Sequence, residues 1–168
     1  MPEAPVPSPD ISSKLDASPL NALLLRVSTT DRIALEAVLN IRTTQKAVDA
    51  LAALQEFPAD VVIADIGTSD FETTDLLQAL RDPVKTPRKG IPIICLLSES
   101  SPDRVRSLVK SGVDHVMVKP ISATALRELA QHLCDFPMKQ VTVYRYVGPD
   151  RRRVPDNSYT GPSRRKSE

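Results

Sequence analysis

Three short runs of apolar residues stand out along the chain: 21–27 (Asn-Ala-Leu-Leu-Leu-Arg-Val), 60–64 (Asp-Val-Val-Ile-Ala) and 91–97 (Ile-Pro-Ile-Ile-Cys-Leu-Leu). Each is bounded by polar or turn-forming residues, and none alternates apolar with polar, as expected of strands buried on both faces. A fourth, shorter run is Val116-Met-Val118, and Ile41 to Thr43 adds a weak strand. Between these runs the apolar positions fall at helical spacing. Ser28, Thr29 and Thr30 offer caps before Ile33, Leu35, Val38 and Leu39. A helix from about Gln45 to Gln55 turns Ala47, Val48, Leu51, Ala52 and Leu54 inward and stops before Pro58. Leu76, Leu77 and Leu80 mark a third helix, and Pro83 and Pro87 make 82–90 a loop. Ser101 or Asp103 caps a fourth helix, with Pro102 in its first turn and Gly112 past its end. Ser122 caps a fifth, running to about Leu133.

Strands that are apolar throughout and alternate with helices predict an α/β domain with a doubly wound, parallel five-stranded sheet over residues 20–135. In such sheets sites form at the carboxyl ends of strands, here Asp65, Ser98 and Lys119.

The flanks differ from this core. Residues 1–19 hold five prolines among Ser, Asp and Glu, too few apolar groups to offset ordering entropy, and are expected to be disordered. No secretory signal opens the chain and no apolar stretch is long enough to span a membrane, so a cytoplasmic location is expected. Cys95 and Cys134 sit far apart in apolar settings and read as buried free thiols. His115 and His132 lack the spacing of metal ligands, His115 reading as a partly buried strand neighbour, and no Gly-rich phosphate loop follows the first strand. A metabolic enzyme is therefore not expected.

Several of these pieces, in this order, resemble the receiver domains of two-component response regulators. Asp60-Val-Val-Ile-Ala-Asp65-Ile looks like the strand ending in the phosphoacceptor aspartate, and Ile91-Pro-Ile-Ile-Cys-Leu resembles the fourth strand. Ser111-Gly-Val-Asp-His-Val-Met-Val-Lys119-Pro120 is similar to the family's Gly-x-Asp turn, last strand and Lys-Pro. The resemblance implies the flavodoxin-like receiver fold, with Asp65 at the phosphoacceptor position and Lys119 and Ser98 near the phosphoryl oxygens. It also implies an acidic pair after the first strand, which together with the aspartate binds Mg²⁺, and a hydroxyl at the end of strand four. Here the first-strand window reads Leu24-Leu-Arg-Val-Ser-Thr-Thr30 without a carboxylate, and Arg26 and Val27 fall at the pair's positions. Asp31 is the nearest acid, inside the next helix. Spacing back from Lys119 places Leu97 at the hydroxyl position and Ser98 one residue late. The loop after Asp65, Ile66 to Thr73, lacks the family's Met-Pro and Asp-Gly. Such a domain is expected to be a pseudo-receiver that needs no cofactor; Mg²⁺ enters only if Asp65 is phosphorylated.

Beyond Cys134 the resemblance ends, and residues 136–168 read as an extended or disordered basic tail. Met138 to Val147 alternates well enough for an edge strand or extended arm. Tyr146-Val-Gly148-Pro149-Asp-Arg151-Arg152-Arg153 then recurs thirteen residues later as Tyr159-Thr-Gly161-Pro162-Ser-Arg164-Arg165-Lys166. The motif resembles Gly-Pro-Asp-Arg-Arg-Arg tails of some bacterial, particularly alphaproteobacterial, receiver proteins. Gly-Pro sets a turn, and arginine forks beside a tyrosine ring suit docking on an acidic protein surface.

The function expected is a bacterial signalling module acting through protein contacts. A histidine kinase, a phosphotransfer protein or another regulator would dock on the fourth-helix, fifth-strand and fifth-helix face that the family commonly uses, which here holds Val105, Leu108, Met117, Leu126 and Leu129. Nothing in the sequence excludes a homodimer. Two alternatives stay open: an active single-domain regulator phosphorylated on Asp65, and nucleic-acid binding through the tail. The latter is disfavoured because no DNA-reading module follows the core.

Overall fold

The computed structural model describes residues 19–67, 71–82, 84–86, 88, 90–143 and 146–151. The proline-rich segment up to Ser18, and Arg152, Arg153 and the second repeat (Tyr159, Gly161, Pro162, Arg164, Arg165), lie outside them.

Five strands alternate with five helices: β1 (Asn21–Leu25), α1 (Thr29–Glu36), β2 (Asn40–Thr44), α2 (Ala47–Glu56), β3 (Val61–Ile66), α3 (Phe71–Arg81), β4 (Ile93–Leu97), α4 (Pro102–Lys110), β5 (His115–Val118) and α5 (Ala123–Asp135). All four pairings are parallel, in the order β2-β1-β3-β4-β5. The doubly wound sheet expected from the apolar runs is what forms.

The absence of alternation in β1, β3 and β4 follows from their covering. Leu23, Leu25, Val62, Ala64, Ile93, Cys95 and Leu97 face α2, α3 and α4, where Ala50, Leu54, Leu77, Leu80 and Leu108 close over them. Their neighbours Ala22, Leu24, Val61, Ile63, Ile94 and Leu96 face α1 and α5, against Leu35, Leu126, Ala130 and Leu133. Successive side chains point to opposite faces, so a strand covered on both sides must be apolar at every position. β5 is covered less and sits at the sheet edge. His115 is exposed there rather than partly buried. Cys95 is fully buried, and burial pushes its thiol well up. Cys134 is half-buried, and burial, with Asp60 and Asp135 nearby, raises its thiol to about 11. Both are free thiols, and neither is an activated nucleophile.

The helix caps fall where hydroxyls precede the apolar pattern. Ser28, Ser101 and Ser122 each accept a hydrogen bond from the backbone N–H three residues on, satisfying one of the free donors at each N-terminus.

After α5 the reading of one edge strand or arm is amended. Gln140–Val143 (β6) and Tyr146–Pro149 (β7) pair with each other as an antiparallel hairpin, Val143 opposite Tyr146 and Gln140 opposite Pro149. Neither strand joins the five-stranded sheet. A period-two pattern fits two short strands as well as one long one, and no Asn-Gly or Asp-Gly turn marks the reversal. The chain from 140 to 151 is therefore folded back as a hairpin rather than extended away, with Gly148 and Pro149 buried.

Candidate functional site

The carboxyl ends of β1, β3 and β5 bring three charged side chains together. Asp65, the fifth residue of β3, points to the sheet's carboxyl edge and accepts a hydrogen bond from Lys119 Nζ. Lys119 follows β5 directly, and its backbone N–H is fixed by Leu97 O at 2.8 Å. The same ammonium meets Asp31 Oδ2 at 2.8 Å. The three side chains are only 14% (Asp65), 20% (Lys119) and 24% (Asp31) exposed, so solvent screens them weakly.

Asp31 reaches the site because of its helix cap. Ser28 Oγ accepts from the Asp31 N–H at 3.1 Å and donates to Asp31 Oδ2 at 2.8 Å. The Ser-x-x-Asp spacing is that of a capping box, but the Asp31 carboxylate returns to the Ser28 hydroxyl. Helical side chains lean toward the N-terminus, here toward the carboxyl edge of the sheet. Sequence reasoning placed the cap but not the carboxylate's destination. It also missed Arg104 of α4, whose guanidinium reaches Ile66 O, next to Asp65, at 3.5 Å.

The other expected positions do not join them. Arg26 N–H donates to Thr44 O at 2.9 Å and Arg26 Nε to Gln45 O at 3.3 Å. Its φ of +56° is a left-handed conformation that costs a side-chain-bearing residue roughly 1–2 kcal/mol. Val27 is buried among α1 and α5 residues. Ser98 is exposed one residue past β4, and no hydrogen bond joins it to Asp65 or Lys119 among the described residues. Leu97, at the place where the resemblance implies a hydroxyl, is fully buried.

Partial burial works against both Lys119 and Asp31, but their mutual hydrogen bond and charge outweigh it. Asp65 also supports Lys119, and Ser28 supports Asp31. Lys119 is thus held above its usual value of 10.5 and Asp31 below its usual 3.8. A raised lysine contributes stability that is complete below 10.5 and is lost as pH rises through the higher folded value. A depressed aspartate contributes stability that is complete above 3.8 and is lost as pH falls through the lower folded value. Between these limits the cluster's contribution is flat in pH. Lys119→Met is expected to remove the alkaline loss from a stability–pH profile. An unchanged alkaline limb would contradict this assignment.

The response regulator receiver domain family matches residues 22–131. The chain belongs to that family. Among curated relatives, 119 residues are 29% identical to the sensor histidine kinase GacS of Pseudomonas protegens, covering 70% of this chain and 12% of that protein. The chemotaxis protein CheY-3 of Vibrio cholerae is 28% identical over 93 residues, 54% of this chain and 70% of that protein. This receiver therefore spans about an eighth of the sensor kinase it resembles. Among solved structures, the chemotaxis response regulator CheY4 of Vibrio cholerae superposes with a TM-score of 0.57 at 23% identity, over 69% of this chain and 99% of that one. An orphan response regulator of H. pylori superposes at 0.54 with 14% identity, over 67% and 93%. At these identities the structures show the shared fold alone.

Among the described residues, the side chains at this corner do not suit a resident Mg²⁺. An octahedral ion bound by protein wants carboxylate oxygens free to face it. Among the described residues two carboxylates reach the corner, Asp31 and Asp65, and the Oδ2 of each is turned onto the same ammonium. Among the described residues no group of three His, Cys, Asp or Glu side chains is placed to share a metal ion. Lys119 supplies the positive charge that keeps Asp31 and Asp65 from repelling one another.

Proposed function

We propose that this receiver is a pseudo-receiver: a bacterial, cytoplasmic signalling module that works through protein contacts and is not an enzyme or an efficient phosphoacceptor. The observation that carries this reading is the Lys119 ammonium bound between Asp31 and Asp65. A phosphoryl acceptor needs one free carboxylate oxygen and a cation for the incoming charge. In this site the cation is already neutralised by two carboxylates, and Arg26 and Val27 supply no further oxygen ligands. A histidine kinase, a phosphotransfer protein or another regulator fits as partner. The α4–β5–α5 face supports this, since β5 is half-exposed and Val118 shows 45% of its surface. Leu108 and Leu126 on that face are core, while Val105, Met117 and Leu129 are partly buried at its margin.

One observation favours the opposite reading. Asp65 and Lys119 stand together as they would in an active regulator. Incubation with acetyl phosphate and Mg²⁺, read by intact-protein mass, separates the two. No phosphoryl adduct is the expected result. An adduct on the wild type that disappears in Asp65→Asn would overturn the pseudo-receiver reading.

A further inference from the structure

The first copy of the duplicated motif closes on the domain that carries it. Gly112 (φ +87°) and Gly148 meet backbone to backbone. A Cβ on Gly148 would stand 2.7 Å from Gly112 Cα, and one on Gly112 would overlap the Val147 carbonyl oxygen. The Tyr146 hydroxyl donates to Pro149 O at 2.9 Å, folding the ring over the Gly-Pro step. Arg151 Nη2 then donates to the carbonyls of Val113 and Asp114, the latter at 2.9 Å. Tyrosine, glycine, proline and the first arginine therefore each have a part in a single docking event. Its target is the turn Gly112-Val113-Asp114 at the start of β5. Within its own domain the arginine is met by two backbone carbonyls. The Asp114 carboxylate is already taken by Arg81 and by Ile93 N–H at 2.7 Å.

The sequence carries this set twice, the second time as Tyr159, Gly161, Pro162 and Arg164 at identical spacing. Among the described residues only the turn at Gly112 is seen docked in this way, and the first copy fills it. Among the described residues there is one such docking site, while the sequence carries two copies of the docking set. We propose that Tyr159–Arg164 docks on the matching turn of a second receiver-type domain, one with no hairpin of its own over that turn. The partner needs a glycine at positive φ that leaves room for the incoming glycine, followed by two outward carbonyls. It also needs an aspartate neutralised from beneath, as Arg81 neutralises Asp114 here. The seven residues 152–158 between the copies span at most ~25 Å when extended, far enough to reach a neighbouring domain. A second copy of this chain offers such a turn only after its own hairpin lifts, so it is the poorer occupant. The proposal holds whether or not Asp65 accepts a phosphoryl group.

The test uses the full chain as donor and two acceptors, followed by amide NMR. The first acceptor is the full chain carrying Tyr146→Ala, Arg151→Ala, Tyr159→Ala and Arg164→Ala, which leaves the Gly112 turn bare and silences both copies. The second, needing no engineered fold, is a stand-alone receiver chain chosen for a Gly-x-Asp turn and ending at its fifth helix. Wild-type donor is expected to shift resonances at the turn of each acceptor. Donor Tyr159→Ala/Arg164→Ala is expected to bind roughly tenfold or more weakly, as when two anchors are lost. No shift at the turn of either acceptor would overturn the proposal. So would shifts that persist with the silenced donor, or donor self-association in place of binding. Tighter binding of the same tail to mixed RNA, equally lost in the silenced donor, would assign the second copy to nucleic acid instead.

Discussion

Asp114→Ala is expected to lower folding stability by about 3–5 kcal/mol, the cost of leaving a buried charge without its partner. Arg81, the last residue of α3, is buried beneath the hairpin with 2% of its side chain exposed. Its guanidinium donates to Asp114 Oδ2, to Gly112 O at 2.7 Å and to Ile91 O at 2.7 Å. Asp114 in turn accepts from Ile93 N–H, where β4 begins. One ion pair thus ties the end of α3 to the starts of β4 and β5. Burial lifts the Asp114 carboxyl above its usual range, and Arg81 opposes that rise without cancelling it. Such a pair adds little net stability compared with apolar packing, but loss of one member is costly. Asp114→Asn keeps an acceptor for Ile93 and should lose less. Arg81→Met added to Asp114→Ala should recover part of the loss by removing the stranded charge, although two carbonyls then lack a donor. Urea unfolding of the three variants measures the order. With domain stabilities of about 5–15 kcal/mol, Asp114→Ala is expected to bring the protein near its threshold. A loss below about 1 kcal/mol, the range of solvent-exposed pairs, would mean that the pair is not sealed from water.

Gly112→Ala is expected to cost about 1–3 kcal/mol, the penalty for a left-handed residue with a side chain, and to release the hairpin. The second effect separates this site from an ordinary turn. The new methyl would overlap the Val147 carbonyl oxygen and press on Arg81 Cγ at 3.0 Å. The core cannot move away as readily as a two-stranded hairpin, which is at best marginally stable alone. Hydrogen exchange of the β6 and β7 amides should therefore rise sharply while the five-stranded sheet stays protected. Arg151→Ala should add almost nothing in the Gly112→Ala background, because its contacts to Val113 and Asp114 are already lost. In the wild-type background it should weaken the hairpin measurably. Full additivity of the two substitutions would show that the glycine contact and the arginine contact are independent, against the single docking event described above.

The sheet was legible because burial on both faces leaves a direct trace. Leu23 and Leu24 point to opposite sides, both sides are covered, and both residues must be apolar. The caps were legible for a similar reason, since Ser28, Ser101 and Ser122 each act on the backbone three residues away. The hairpin was not, because β7 and Arg151 just after it are held by Gly112, Val113 and Asp114 more than thirty residues earlier in the chain, and β6 follows only by pairing with β7. Half of the site was legible: the strand ending at Asp65 and the Lys-Pro after β5 carry their own local pattern. Asp31 carries no such pattern, since it lies inside a helix and not at a strand end. What brings it to Lys119 is the lean of a capped helix over the sheet edge, a direction in space that spacing along the chain does not encode. Arg81 gave no signal either, since a basic residue in a last helical turn normally faces water.

In the proposed pseudo-receiver, Lys119 gripped by Asp31 and Asp65 takes the place of a metal, and Asp65 is then expected to lack phosphoryl chemistry. An amide-resolved NMR titration with Mg²⁺, then with Mg²⁺ and beryllofluoride as a mimic of the phosphoryl group on aspartate, tests it most directly. The spectrum is expected to stay unchanged at Asp65, Gly67, Ser98 and Lys119 through both additions. Saturable shifts centred on those residues, lost in Asp65→Asn, would contradict it and show a working phosphoacceptor.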